Sequence, residues 1–126
     1  MSVRRTRATD VRRRDERAGR LAETSAAMWL RLKGYRILAR RFRCPAGEID
    51  LIALRGRTLA FVEVKARGDA GAAAESLTAH QRRRICRAAE AFLQRRPDLA
   101  DRTLRFDAVL VSGLPRHQAG AWRDVD

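Results

Sequence analysis

Three side chains with chemical potential fall inside two strongly apolar runs. Asp50 lies in Gly47-Glu48-Ile49-Asp50-Leu51-Ile52-Ala53, and Glu63 and Lys65 lie two apart in Phe61-Val62-Glu63-Val64-Lys65. Two carboxylates brought face to face repel, and a bound divalent cation reverses the sign of that interaction. Hard oxygen donors select Mg2+ or Mn2+ over zinc. Such an ion activates a water and holds a phosphate oxygen, while a neighbouring ammonium orients the nucleophile or stabilises developing negative charge. The plainer alternative is a set of surface ion pairs at strand ends. Placement of all three within apolar strands weighs against it. Composition adds mild support: Lys33 and Lys65 are the two lysines among 28 basic residues, so a chain that writes its cations as arginine uses a compact ammonium here.

Strand register decides whether the three meet. Glu48 to Leu54 and Thr58 to Lys65 read as strands joined by the tight turn Arg55-Gly56-Arg57, which makes an antiparallel hairpin. Pairing Leu54 with Leu59 puts Ile52 opposite Phe61 and Asp50 opposite Glu63, with Cβ atoms about 4.5–5.5 Å apart. A slip by one residue puts Ala60 and Val62 on that face and moves Glu63 away. Both faces are apolar enough that the pattern leaves both registers open. The first also assembles a site.

The remaining elements frame this hairpin. A helix is expected from about Arg17 to Lys33, ended by Gly34, with Leu21, Ser25, Met28, Trp29 and Leu32 at helical spacing. Ala22, Ala26 and Leu30 widen its apolar face, so it should be largely buried. Glu23 sits inside that stretch, either as a solvated helix-edge acid or as a third carboxylate. Tyr35 to Arg43 alternates like a strand, and Cys44-Pro45-Ala46-Gly47 is a turn. Residues 67–75 are small and glycine-rich, so a mobile loop is expected. Ser76 can cap a second helix running to about Arg96, with Pro97 beyond it. Its core stripe holds Leu77, Ile85, Ala88 and Phe92, and Gln81 falls on the same stripe. A buried amide there either ties down backbone or reaches a metal-bound water or a scissile phosphate. Thr103 to Ser112 is a further strand, and Gly113 to Asp126 shows no clear pattern. His80 and His117 show no partner pattern. Helix, three strands, helix, strand describes a mixed α/β layer fold around one sheet.

Length and charge narrow the function classes. The chain has 126 residues, enough for a single domain at 17–126, preceded by an arginine-rich arm at 1–16 that reads as flexible. A net charge of +13 favours a polyanionic partner, because neutralised phosphates release counterions. No membrane span, signal peptide or Gly-rich phosphate loop is visible, so cytoplasmic residence is expected and a membrane partner is not. Cys44 and Cys86 are far apart in sequence and read as reduced thiols.

The segments Arg43 to Ala53, Phe61 to Arg67 and Arg105-Phe106-Asp107 closely resemble the YraN family, small bacterial proteins similar to the PD-(D/E)xK nucleases. The resemblance spans about residues 17 to 125. It implies a restriction-endonuclease-like three-layer α/β core, with a mixed sheet of four to five strands and flanking helices. By the same resemblance Asp50 and Glu63 would be ligands of Mg2+ or Mn2+, and Lys65 would position water or stabilise charge. Glu23 and Gln81 would match the first-helix glutamate and second-helix glutamine of junction resolvases. Two positions depart from the pattern: His80 stands where a lysine is usual, and Arg41 where asparagine is frequent. Arg41, Arg43, Arg67 and Arg82 are the arginines expected to contact nucleic acid, DNA above all. Three functions compete: a metal-dependent endonuclease acting on branched or damaged DNA, a non-catalytic nucleic-acid-binding module, and an adaptor meeting acidic proteins. Junction resolvases add a homodimer by analogy, but no residue marks an interface.

Overall fold

The computed structural model describes residues 19–66 and 78–123. The expected arm at 1–16, the loop at 67–75, Ser76, Leu77 and Arg67 lie outside the described residues. Helix α1 covers residues 19–32 of that range and ends in a left-handed glycine: Gly34 has φ 94°, Tyr35 N–H reaches the Leu30 carbonyl at 2.9 Å, and Gly34 N–H reaches that of Arg31 at 3.0 Å. Both bonds satisfy carbonyls that a helix terminus leaves open.

Strands β1 (Arg36–Cys44), β2 (Gly47–Arg55) and β3 (Thr58–Lys65) form an antiparallel meander. Helix α2 (Ala79–Arg95) and a 3-10 turn (Pro97–Leu99) then carry the chain to β4 (Thr103–Leu110), which pairs parallel to β3. Strand β5 (Arg116–Trp122) closes the edge antiparallel to β4, giving the order β1-β2-β3-β4-β5. The last strand lies in the stretch whose sequence shows no clear pattern. It is held by Trp122 stacking on Phe106, with ring centroids 4.3 Å apart.

Each helix covers one face of the sheet. On one side Ala26, Ala27 and Leu30 of α1 pack on Leu51, Ala53, Ala60, Val62 and Val109. On the other, Ile85, Cys86, Ala88, Ala89 and Phe92 of α2 pack on Ile52, Leu59, Phe61 and Phe106. This helix–sheet–helix arrangement is a restriction-endonuclease-like α/β core. No helix among the described residues is long and apolar enough to cross a membrane.

Two expectations about the helices change. The face of α1 that meets the sheet is the alanine face, while Leu21, Met28 and Leu32 stay 65%, 57% and 82% exposed. The sheet already supplies bulk through Leu51, Val62 and Val109, so small side chains let the helix axis approach and fill the layer. The cap of α2 is Thr78 rather than Ser76. Thr78 Oγ1 accepts the Gln81 N–H at 3.1 Å, and Gln81 Oε1 accepts the Thr78 N–H at 2.9 Å, a reciprocal capping box.

Candidate metal and phosphate site

The β2–β3 ladder pairs Leu54 with Leu59, Ile52 with Phe61 and Leu51 with Val62. This is the register in which Asp50 and Glu63 follow as the next facing positions, and Glu63 lines the cavity toward α2. The regular pairing stops there, and the next backbone donor is taken by a side chain: Val64 N–H donates to Asp50 Oδ2 at 2.8 Å. The ladder therefore ends where the acids sit, and the Asp50 and Glu63 carboxyls lie within hydrogen-bond reach of each other. Lys65 Nζ stands 3.8 Å from Glu63 Oε1.

The pair is electrostatically frustrated. Burial raises the Asp50 pKa, opposed by the Val64 hydrogen bond, and the charges of Glu23 and Glu48 push it further up. Burial also raises Glu63, with the Asp50 charge adding to it and Lys65 opposing. Two half-buried oxygen donors that resist ionising side by side, with one ammonium in attendance, match a hard divalent cation. Asp50 and Glu63 would hold it. Among the described residues no group of three or more Asp, Glu, His and Cys side chains is arranged to hold a metal.

Two cavities flank the acids. One, of about 230 Å3, lies between the end of the β2–β3 ladder and the start of α2, lined by Glu48, Glu63, Gln81, Arg84 and Ile85. At its edge α2 runs almost against β2: a Cβ on Gly47 would lie 2.8 Å from the Arg84 carbonyl oxygen. The second, of about 390 Å3, lies toward α1 and is lined by Gly19, Arg20, Glu23, Arg41, Arg43 and Glu48. Glu48 borders both.

The other expected site residues divide. Glu23 is buried on α1, and its charge reaches Asp50, but its carboxylate is taken by Arg41, with Nε to Oε1 at 2.8 Å. Arg41 thus bonds to an acid of its own chain, and Arg43 forms an exposed pair with Glu48 at 3.3 Å. Gln81 is exposed, not buried, because it belongs to the first turn of α2 and closes the capping box while it lines the cavity. Arg82 lines neither cavity; its guanidinium stands 5.9 Å from the Trp122 ring centroid. Glu48, Arg84 and Arg20 join the site without having been singled out. Glu48 was within reach of the pattern, since it precedes Asp50 by two in the same strand and regular alternation would give the two a common face.

A polar cluster at the β4–β5 edge also escaped the pattern. Asp107, wholly buried, accepts from Arg105 Nε and Nη2, both at 2.8 Å, from Gly120 N–H at 2.9 Å, and meets His117 Nε2 at 2.7 Å. Lys33 Nζ approaches His117 Nδ1, which leaves Nε2 as the nitrogen that donates to Asp107. His117, without a partner in the sequence pattern, has two here.

The fold and this site define a three-layer α/β protein whose five-stranded mixed sheet carries an aspartate and a Glu-x-Lys pair at the end of a central hairpin. The chain belongs to the UPF0102 family, the YraN family that its motifs resemble. The model of "Uncharacterised protein family UPF0102" matches residues 22–111. The chain is 59% identical to a UPF0102 protein of Parvibaculum lavamentivorans over 109 residues, covering 85% of this chain and 82% of that one. It is 56% identical over 114 residues to one from Paramagnetospirillum magneticum, covering 86% and 88%, and 54% identical over 108 residues to one from Rhodopseudomonas palustris, covering 84% and 83%.

Proposed function

We propose that this protein is a metal-dependent endonuclease acting on DNA phosphodiester bonds, with branched or damaged DNA as the substrate class. The observation that carries the reading is the meeting of Asp50 and Glu63 at the end of a central hairpin, with Lys65 beside Glu63. A Mg2+ or Mn2+ ion held by the two acids would polarise a phosphate oxygen and generate a nucleophile from water. The chain's own groups do the rest. Val64 N–H fixes the Asp50 carboxylate. Lys65 supplies a positive charge where negative charge develops. Arg84 and Arg43 border the flanking cavities and offer contacts to a phosphate backbone, consistent with the net charge of +13.

The test is cleavage of supercoiled and branched DNA with Mg2+ or Mn2+, comparing wild type with Asp50→Ala. Loss of metal-dependent cleavage in the variant supports the assignment; cleavage that survives removes it. The net charge of +13 and the arginines that border both cavities support a second reading, a module that binds nucleic acid without cutting it. That reading predicts salt-sensitive binding indifferent to metal.

A further inference from the structure

Arg41 lies between the pairs Arg40↔Leu51 and Phe42↔Ile49, across the ladder from Asp50. Regular alternation would bring its guanidinium alongside Asp50. Its backbone is instead left-handed, with φ 52°, the one positive φ outside glycine among the described residues. That conformation costs an arginine on the order of 1 kcal/mol. It delivers the guanidinium to Glu23 on α1, where the pair closes at 2.8 Å with the Glu23 side chain only 10% exposed. The same guanidinium borders the cavity shared with Arg20 and Arg43. One strained residue therefore occupies the α1 acid whose charge reaches Asp50, and borders a cavity that Arg20, Arg43 and Glu48 also line.

We propose that the Arg41–Glu23 ion pair is a latch: a phosphate entering the Arg20–Arg41–Arg43 cavity takes Arg41, and the freed Glu23 joins Asp50 and Glu63 as a third carboxylate for the divalent cation. This rests on the reading of Asp50 and Glu63 as the cation pair. The electrostatics make the two events mutually dependent. Freeing Glu23 without a cation leaves three acids close together, and binding a cation without phosphate leaves Glu23 spent on Arg41. Phosphate and cation therefore each raise the affinity for the other by the same factor. The latch would keep the cation site incomplete until a nucleic-acid backbone is seated.

Mn2+ titration calorimetry tests this, with and without a short DNA duplex. In wild type the duplex should tighten Mn2+ binding by roughly tenfold, within the usual range of coupling. Arg41→Asn keeps a residue that tolerates the left-handed conformation and opens the latch. It should bind Mn2+ roughly tenfold tighter than wild type with no DNA present. Arg43→Asn removes equal charge from the same cavity and should give only about twofold. Glu23→Gln should hold wild-type affinity in free protein and lose much of the tightening by DNA. Arg41→Asn no tighter than Arg43→Asn, or Glu23→Gln with full coupling, overturns the latch. The cation pair survives that outcome if Asp50→Asn abolishes Mn2+ binding. Wild type that binds no Mn2+, with or without duplex, removes the cation pair and the latch together.

Discussion

Asp50 accepts the backbone N–H of Val64 at 2.8 Å, one step past the last regular pair of the β2–β3 ladder. A side chain thus replaces a strand hydrogen bond, and the acid that would bind a cation also terminates the pairing. Its two roles separate by substitution. Asp50→Asn keeps an oxygen for Val64 and relieves the repulsion with Glu63, so the metal-free variant should be at least as stable as wild type. Asp50→Ala orphans a part-buried N–H and should fall below Asp50→Asn by about 1–3 kcal/mol. Urea unfolding measures both, and both should abolish Mn2+ binding. Equal stability of the two variants would show that the Val64 bond contributes nothing.

The approach of α2 to β2 depends on Gly47. A Cβ there would meet the Arg84 carbonyl oxygen at 2.8 Å and its carbon at 3.2 Å, both backbone atoms that move only with the helix. Gly47→Ala should destabilise by about 1–3 kcal/mol and shift the first turns of α2 away from Glu63. Gly56, with φ 59° and nothing within 4 Å, is constrained by conformation instead. Gly56→Asn should be tolerated, since asparagine accepts the left-handed region. Denaturant midpoints for the two variants check the contrast.

The orientation of α1 makes a third prediction. Leu32→Gln and Met28→Gln replace side chains that are 82% and 57% exposed, and should change stability by less than about 0.5 kcal/mol. Ala27→Leu adds volume where exposure is 0% and should cost about 1–3 kcal/mol. Thermal melts showing the reverse order would mean that the leucine face meets the sheet.

These residues also mark what the sequence could disclose. The β2–β3 register was one of two that alternation allowed, and the one grouping Leu54, Leu59, Ile52 and Phe61 is the one found, with α2 covering that face. The α1 face was misjudged because hydrophobicity favours Leu21, Met28 and Leu32, whereas the sheet's own bulk selects alanine. Strand β5 carries few β-formers in Arg116–Trp122; its place depends on Phe106 under Trp122 and on Asp107 holding the Gly120 N–H, contacts that exist only once β4 is in place. Arg41 was expected to face substrate, and no local signal announces a left-handed arginine. The capping box was legible: Thr78 and Gln81 have the required spacing, and reading them as a helix start would have moved Gln81 out of the core stripe.

The Asp107 cluster predicts an acid-sensitive edge. Burial alone would raise the Asp107 pKa, but hydrogen bonds from His117, Arg105 and Gly120 outweigh it and hold the carboxyl down at about 2, against an ordinary 3.8. The unfolded chain therefore binds this proton before the folded one does. Stability from Asp107 is fully present above about pH 4 and is lost as the pH falls toward 2. Asp107→Asn removes the charge and leaves Arg105 without its anion, so it should cost about 3–5 kcal/mol near neutral pH. Its unfolding free energy should also fall less steeply than that of wild type between pH 4 and pH 2. Urea melts across that range measure both quantities. Parallel pH profiles for the two proteins would show that Asp107 binds its proton equally in the folded and the unfolded chain, so that Arg105, His117 and Gly120 do not hold its carboxyl down.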